Sequence, residues 1–485
     1  MWKTSLLLVA GVLLSATAAV TTNYHELDID HFGFESDVGT FKMRYLVEDK
    51  NWDGKGPILF YTGNEGDIWT FYKNTGYVTE TLAQELKGLV IFAEHRYFGE
   101  TMPFGDKSYD NKNLRYLTVL QALADYAIFL TDYKNANKIT APVYAFGGSY
   151  GGMLASWMRM KYPHVIHGAI AASAPILYFR GGASEEGFFE VITDDFKAQD
   201  ERCVDIIRSG FDVLLEHRSN ATSYAKLSER FNTCETIQKP EDIDALMNLL
   251  NAGLSYMAMT DYPHPASFLE PMPAWPIDVA CKRIVDGIER AEEYGLYDFE
   301  GPFAAEYQKV HTLQLMKDAL DVYFNYTGAT KCYDLKSDGT GSLDAQGWNY
   351  LACTDVPMPM GSDGKQDMFY PAPWNYQAYS DECFATYGVR PRYDWVFYEF
   401  GGKNPKQDFK AHSNIYFSNG KLDPWMAGGV LETINDSVIA RIIEKGAHHL
   451  DLRTPEEGDP ESVVAARAEE LSFLKKWIAE YEGAM

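Results

Sequence analysis

The sequence predicts an α/β fold: a mostly parallel sheet covered by helices and interrupted by a long, mostly helical insertion. Three observations predict it. Over the first 170 residues, short continuous apolar runs alternate with segments of helical period. Over 176–330 that alternation lapses into helical segments joined by Pro-rich turns such as Tyr262-Pro263-His264-Pro265 and Pro271-Met272-Pro273. The alternation resumes at Asn414, and 485 residues in all exceed one ordinary compact domain.

Taken in order, residues 39–47 alternate apolar and polar side chains, the pattern of an antiparallel edge strand. Residues 57–61 and 89–93 are continuous apolar runs, as strands buried on both faces require. The spacing over 117–130 puts Leu120, Leu123, Ala127 and Leu130 on one helical face. A strand over 142–146 runs into the glycines around Ser149, and a helix over 153–162 follows, stopped by Pro163. Residues 168–173 form a small-residue strand, and 331–410 are loop-rich. Late strands fall at 414–417 and 438–443, before a closing amphipathic helix over 461–481. The chain thus divides into a sheet domain begun over 19–175, a helical cap inserted over 176–330, and the sheet domain completed over 331–485.

A 46% hydrophobic and 14% aromatic content supplies a large core and excludes global disorder. The net charge of −26, with no basic run, excludes nucleic acid and anionic membranes as partners. It suits solubility, and equally an acidic compartment in which protonated carboxylates bring the charge toward zero.

Lys3, an apolar run over 6–14 and the small residues Ala16-Thr17-Ala18 make a secretory signal peptide over 1–18. The run is too short for a membrane anchor, so none is expected. In an oxidising compartment, Cys203, Cys234, Cys281, Cys332, Cys353 and Cys383 read as three disulfides. Zinc is the alternative, but no C-x-x-C pair is present, and no metal is expected. Asn220, Asn325 and Asn435 begin N-x-S/T glycosylation sequons, in keeping with the same secretory route.

Gly147-Gly148-Ser149-Tyr150-Gly151 fits G-x-S-x-G, the nucleophile elbow of the α/β-hydrolase fold. A strand must turn sharply there into a helix, so side chains two positions either side of the serine would collide. A serine hydroxyl needs a base, and in this fold the partners follow in the order Ser, Asp, His. Asp423 follows one late strand, and His448-His449 follows the next. Asp451 is an alternative acid, and order and spacing do not choose between the two rings. The oxyanion hole takes the Tyr150 amide and one from the loop Gly63-Asn64-Glu65-Gly66, here Asn64. Glu65 is placed either to bind a substrate amine or to bond loop amides as a buried acid. Glu94-His95-Arg96, at a strand end, reads as a structural ion-pair cluster. Neither a metal-ligand cluster nor a phosphate-cradling loop competes, and no cofactor is expected.

With these residues assembled, the chain resembles a known family. Tyr61-Thr62-Gly63-Asn64-Glu65-Gly66-Asp67, Phe92-Ala93-Glu94-His95-Arg96-Tyr97 and the stretches 147–152, 417–425 and 446–453 are similar to the lysosomal Pro-X carboxypeptidase and dipeptidyl peptidase II family of serine peptidases. The resemblance implies a helical cap, cleavage beside proline at acidic pH, and a lysosomal or extracellular site of action. It implies the triad Ser149, Asp423, His448, with His449 and Arg453 in support near the acid. It also implies the pairings Cys203–Cys281, Cys234–Cys332 and Cys353–Cys383. Asp261-Tyr262-Pro263 followed by Pro273-Ala274-Trp275-Pro276 looks more like the carboxypeptidase branch, with the dipeptidyl peptidase as the alternative. Met153, Met358 and Trp425 are candidates for an apolar slot holding the proline ring.

The expected partners are proline-containing peptides, and a homodimer is one assembly open to the chain. Two other classes stand beside the peptidase. A lipase or esterase would share the triad without needing proline, and a silent binding protein would keep the fold alone.

Overall fold

The computed structural model describes residues 20–34, 38–296, 304–337, 343 and 345–484, so the leader expected over 1–18 lies outside the described residues. Eight strands appear among them: β1 (Thr21–Asp28), β2 (Thr40–Glu48), β3 (Ile58–Thr62), β4 (Leu89–Ala93), β5 (Val143–Gly148), β6 (Gly168–Ala172), β7 (Ile415–Gly420) and β8 (Val438–Ile443). They form one sheet in the order β1-β2-β4-β3-β5-β6-β7-β8. β1 pairs with β2, and β2 with β4, antiparallel; every pair from β4 to β8 is parallel. Helices between the parallel strands cover both faces, the arrangement of an α/β-hydrolase.

The continuous apolar runs are the central strands, and every residue of β3 through β7 is buried. The helix Val119–Asn137 covers one face, where Tyr126 meets Phe60 with ring centres 5.5 Å apart. The closing helix Glu461–Ala484 covers the other, where Trp477 stacks on Tyr144 at 6.2 Å. Each such side chain contributes about 1.5–3 kcal/mol on leaving water.

The edge strand is not where the alternating pattern puts it. Residues 40–48 lie second in the sheet, and the edge is β1, whose sequence TTNYHELD is mostly exposed and carries no apolar signal. Backbone pairing with β2 holds it in register. The helix expected over 153–162 starts earlier, at Tyr150, because the chain turns helical directly after Ser149.

Between β6 and β7 lie the helices Gly187–Gln199, Glu201–Arg218, Pro240–Met259, Pro276–Glu293 and Ala304–Phe324. Their starts follow local chemistry. Asp200 caps the second through Arg202 N–H at 2.9 Å, and prolines open the third and fourth. Cys203–Cys281 and Cys234–Cys332 tie this body together, and Cys353–Cys383 closes a later loop. The packing runs on past Thr330, since Tyr333 exchanges backbone bonds of 2.8 Å with Asn232 and Cys234. Three contacts fix the inserted body to the end of the sheet that carries the late loops. Met259 carbonyl accepts from His448 N–H at 2.9 Å, Tyr262 hydroxyl donates to His448 carbonyl at 3.0 Å, and Leu177 N–H donates to Gly428 carbonyl at 2.8 Å.

Candidate active site

β5 passes through Ser149 into the helix Tyr150–Lys161, and Ser149 holds φ at +59° and ψ at −130°. That backbone is costly for a residue with a side chain, about 1–3 kcal/mol, and persists only where its surroundings impose it. Here Ser149 N–H donates to Ala172 carbonyl, and Met153 N–H donates to Ser149 carbonyl, each at 3.0 Å. The glycines are sterically required: a Cβ on Gly147 would stand 2.1 Å from Gly151 carbonyl oxygen. Thr62 hydroxyl donates to the same carbonyl at 2.7 Å, fastening the end of β3 to the turn.

Asp423 and His448 come from the turns after β7 and β8 and are almost wholly buried, 0% and 1% exposed. His448 Nδ1–H donates to Asp423 Oδ2 at 2.8 Å, while Asp423 Oδ1 accepts Trp425 N–H at 3.1 Å. With the proton assigned to Nδ1, the lone pair of Nε2 is left for a base's work. Tyr262 hydroxyl and Met259 carbonyl grip the His448 backbone from the insertion.

The neighbouring candidates have other partners. Asp451 accepts the Ser418 hydroxyl and is not bonded to His448. His449, in a left-handed conformation with φ +41°, donates its N–H to Ser173 Oγ at 2.8 Å and stacks edge-on against Phe268. Burial first, then the charges of His448 and Arg453, hold its ring well below the usual imidazole range. Arg453 lies over the Tyr262 ring at 4.5 Å and reaches Asn74, so its link to His448 runs through Tyr262.

Ser149 opens on a pocket with mostly apolar walls. Met153, Met358, Trp425 and Glu65 all line it, together with Tyr256, Met259 and Trp348, which sequence reasoning missed. Tyr256 and Met259 end an insertion helix, and Trp348 sits in the helix Ala345–Ala352 inside a stretch that reads as loop. Met259 also takes the His448 amide, so one residue joins pocket wall and histidine. Asn64 is buried behind the elbow, and its amide and that of Tyr150 donate to no partner among the described residues. Tyr150 hydroxyl is held by His95 Nε2 at 3.1 Å, and His95 Nδ1–H donates to Arg96 carbonyl at 2.6 Å. Burial pushes that ring down to about 4, so it stays neutral and can accept. Among the described residues no cluster could hold a metal ion, and no helix is long and apolar enough to cross a membrane.

The family model of serine carboxypeptidase S28 matches residues 27–470. The chain is 43% identical over 471 residues to the lysosomal Pro-X carboxypeptidase of Homo sapiens, covering 96% of this chain and 90% of that one. It is 42% identical over 470 residues to the Bos taurus protein of the same name, covering 96% and 89%. A Caenorhabditis elegans prolyl carboxy peptidase like protein is 38% identical over 483 residues, covering 94% and 90%. Matched over nearly its whole length, the chain belongs to the serine carboxypeptidase S28 family of serine peptidases.

Proposed function

We propose that the protein removes the C-terminal residue of peptides whose penultimate residue is proline, in an acidic lumen or outside the cell. The observation that carries this reading is the pocket itself. A strained serine and a histidine–aspartate pair meet walls of methionine and aromatic side chains, which suit a pyrrolidine ring that has no amide hydrogen to satisfy. Relatives named for this activity, at 42–43% identity, support the same choice. In the reaction, Ser149 Oγ attacks the prolyl carbonyl as His448 Nε2 takes its proton, with Asp423 stabilising the imidazolium. The amides of Tyr150 and Asn64 receive the oxyanion. His448 then protonates the leaving amine, and water, deprotonated by the same ring, releases the acyl-enzyme.

The inserted body, proposed as a cap over 176–330, closes one side of the cleft and restricts cutting to chain ends. Signal cleavage after Ala18 and glycans on Asn220, Asn325 and Asn435 complete the proposed secretory history. The test uses purified protein at about pH 5, with Ser149→Ala as control and two short proline peptides. Release of the last residue from an amino-blocked peptide supports the reading. Release of an X-Pro dipeptide from a carboxyl-blocked peptide alone would replace it with a dipeptidyl peptidase.

A further inference from the structure

Removing a C-terminal residue requires recognising a carboxylate, and a cation, arginine above all, is the usual means. None of the described residues lining the Ser149 pocket is a lysine or arginine. Apart from hydroxyls and the indole N–H groups of Trp348 and Trp425, the polar side chain in that wall is an acid, Glu65. Its Oε2 is shut off from solvent and has no hydrogen-bond partner among the described residues. A buried oxygen left unpaired costs about 1–3 kcal/mol, which a bound ligand can recover.

We propose that Glu65, in its neutral form, donates a hydrogen bond from its carboxyl to the C-terminal carboxylate of the peptide and so selects free chain ends. This rests on the carboxypeptidase reading above. Two carboxyl groups at one site share a proton, because two negative charges cannot both stay there. The shared O–H···O⁻ bond is about twice as strong as a neutral one. Position fits as well. Glu65 is the chain neighbour of Asn64, whose amide is offered to the oxyanion. One residue, about 3.8 Å between Cα atoms, is also the step from the scissile bond to the end of the peptide. The groups facing Glu65 are Asn64, Tyr61, Tyr150 and His448. Burial is the largest influence and raises its carboxyl above the usual range, while Asn64 and the His448 charge act the other way. The tyrosines are pushed up by burial and stay neutral throughout.

The full chain carrying Ser149→Ala, which binds without cutting, provides the test by titration calorimetry. An amino-blocked peptide ending in Pro-Phe is compared with its C-terminal amide at pH 5, 6 and 7.5. Acid-to-amide preference is the readout, since any effect of His448 ionisation is common to both ligands. The expected preference at pH 5 is about tenfold or more. It then falls by about tenfold per pH unit once Glu65 ionises. Adding Glu65→Gln, which donates an N–H at every pH, makes the preference independent of pH. A preference that is flat with pH in the Ser149→Ala protein overturns the proposal, whether or not the double variant folds. So does a slope that survives Glu65→Gln. These outcomes are separable from failure of the broader reading. If the active enzyme cuts the amino-blocked peptide and the preference is flat, Glu65 alone loses its role. If it cuts the carboxyl-blocked peptide alone, the carboxypeptidase reading falls as well.

Discussion

β3 and β4 lie side by side, with Thr62 level with Ala93, and each leads into an acid, Glu94 fully buried and Glu65 partly so, yet the two acids meet opposite surroundings. Glu94, directly after β4, is 0% exposed, and protein donors fill both its oxygens. Arg44 pairs with both of them, and Ile68 N–H, Glu100 N–H, Thr101 N–H and Thr101 hydroxyl complete the set. Glu65, three residues beyond β3, keeps one oxygen unfilled in the pocket that Ser149 also lines. The contrast teaches how to sort buried acids. One whose acceptors are all taken by its own chain holds structure, and one left open at a pocket is held for a ligand.

The His448 end of the sheet offers the sharpest way to break that rule, because Asp423 and Asp451 are both buried and both bonded. Their partners differ: the His448 imidazole for Asp423, a serine hydroxyl for Asp451. Asp423→Asn should lower kcat by about 10⁴-fold by presenting the wrong histidine tautomer. Asp451→Asn should leave kcat within about tenfold. Steady-state rates on an amino-blocked proline peptide decide, and a larger loss from Asp451→Asn would transfer the role of acid.

The next effect is on stability. Arg44→Met strands the Glu94 charge in the interior and should cost about 3–5 kcal/mol of unfolding free energy. Glu65→Gln, facing an open pocket, should cost less than about 1 kcal/mol. Urea titrations of the two variants compare them directly. Equal losses would mean that Glu65 is as structural as Glu94.

How much of this was legible in the sequence follows from the range of each interaction. The buried parallel strands announce themselves locally, because a strand covered on both faces must be apolar throughout. The elbow does too, because Gly147 and Gly151 leave no room for a Cβ. β1 stayed silent, since an edge strand exposed on its faces needs only backbone pairing. Adjacent histidines could not be told apart by spacing, because the choice is made by where Asp423 arrives from a loop 25 residues away. Trp348 and Tyr256 reach the pocket through the folding of distant segments, for which no local pattern exists. Asp451 misleads for the same reason: its partner Ser418 is 33 residues distant in sequence.

Asp195 sharpens the comparison from the other side, by asking whether an unfilled oxygen is enough to mark a binding site. It lies in the helix Gly187–Gln199, is 6% exposed, and its Oδ2 has no partner among the described residues, yet it does not line the Ser149 pocket. Burial, reinforced by nearby Asp261 and Asp423, pushes its carboxyl from the ordinary 3.8 up to about 9. The group is therefore neutral in the fold and ionised in the unfolded chain over most of that interval. Its contribution is whole below pH 3.8 and is lost progressively as pH rises toward about 9. At about 1.4 kcal/mol per pH unit, moving from pH 5 to pH 7 should cost on the order of 3 kcal/mol. Asp261, raised to about 7 by burial, acts in the same direction over a narrower window. Urea unfolding at pH 5, 6 and 7 should show wild-type stability falling with pH and Asp195→Asn falling less steeply. An unchanged slope in the variant would locate the missing proton elsewhere. A shallower slope would make Asp195 an acid tuned to the compartment, and leave the pocket, not the orphaned oxygen, as what distinguishes Glu65.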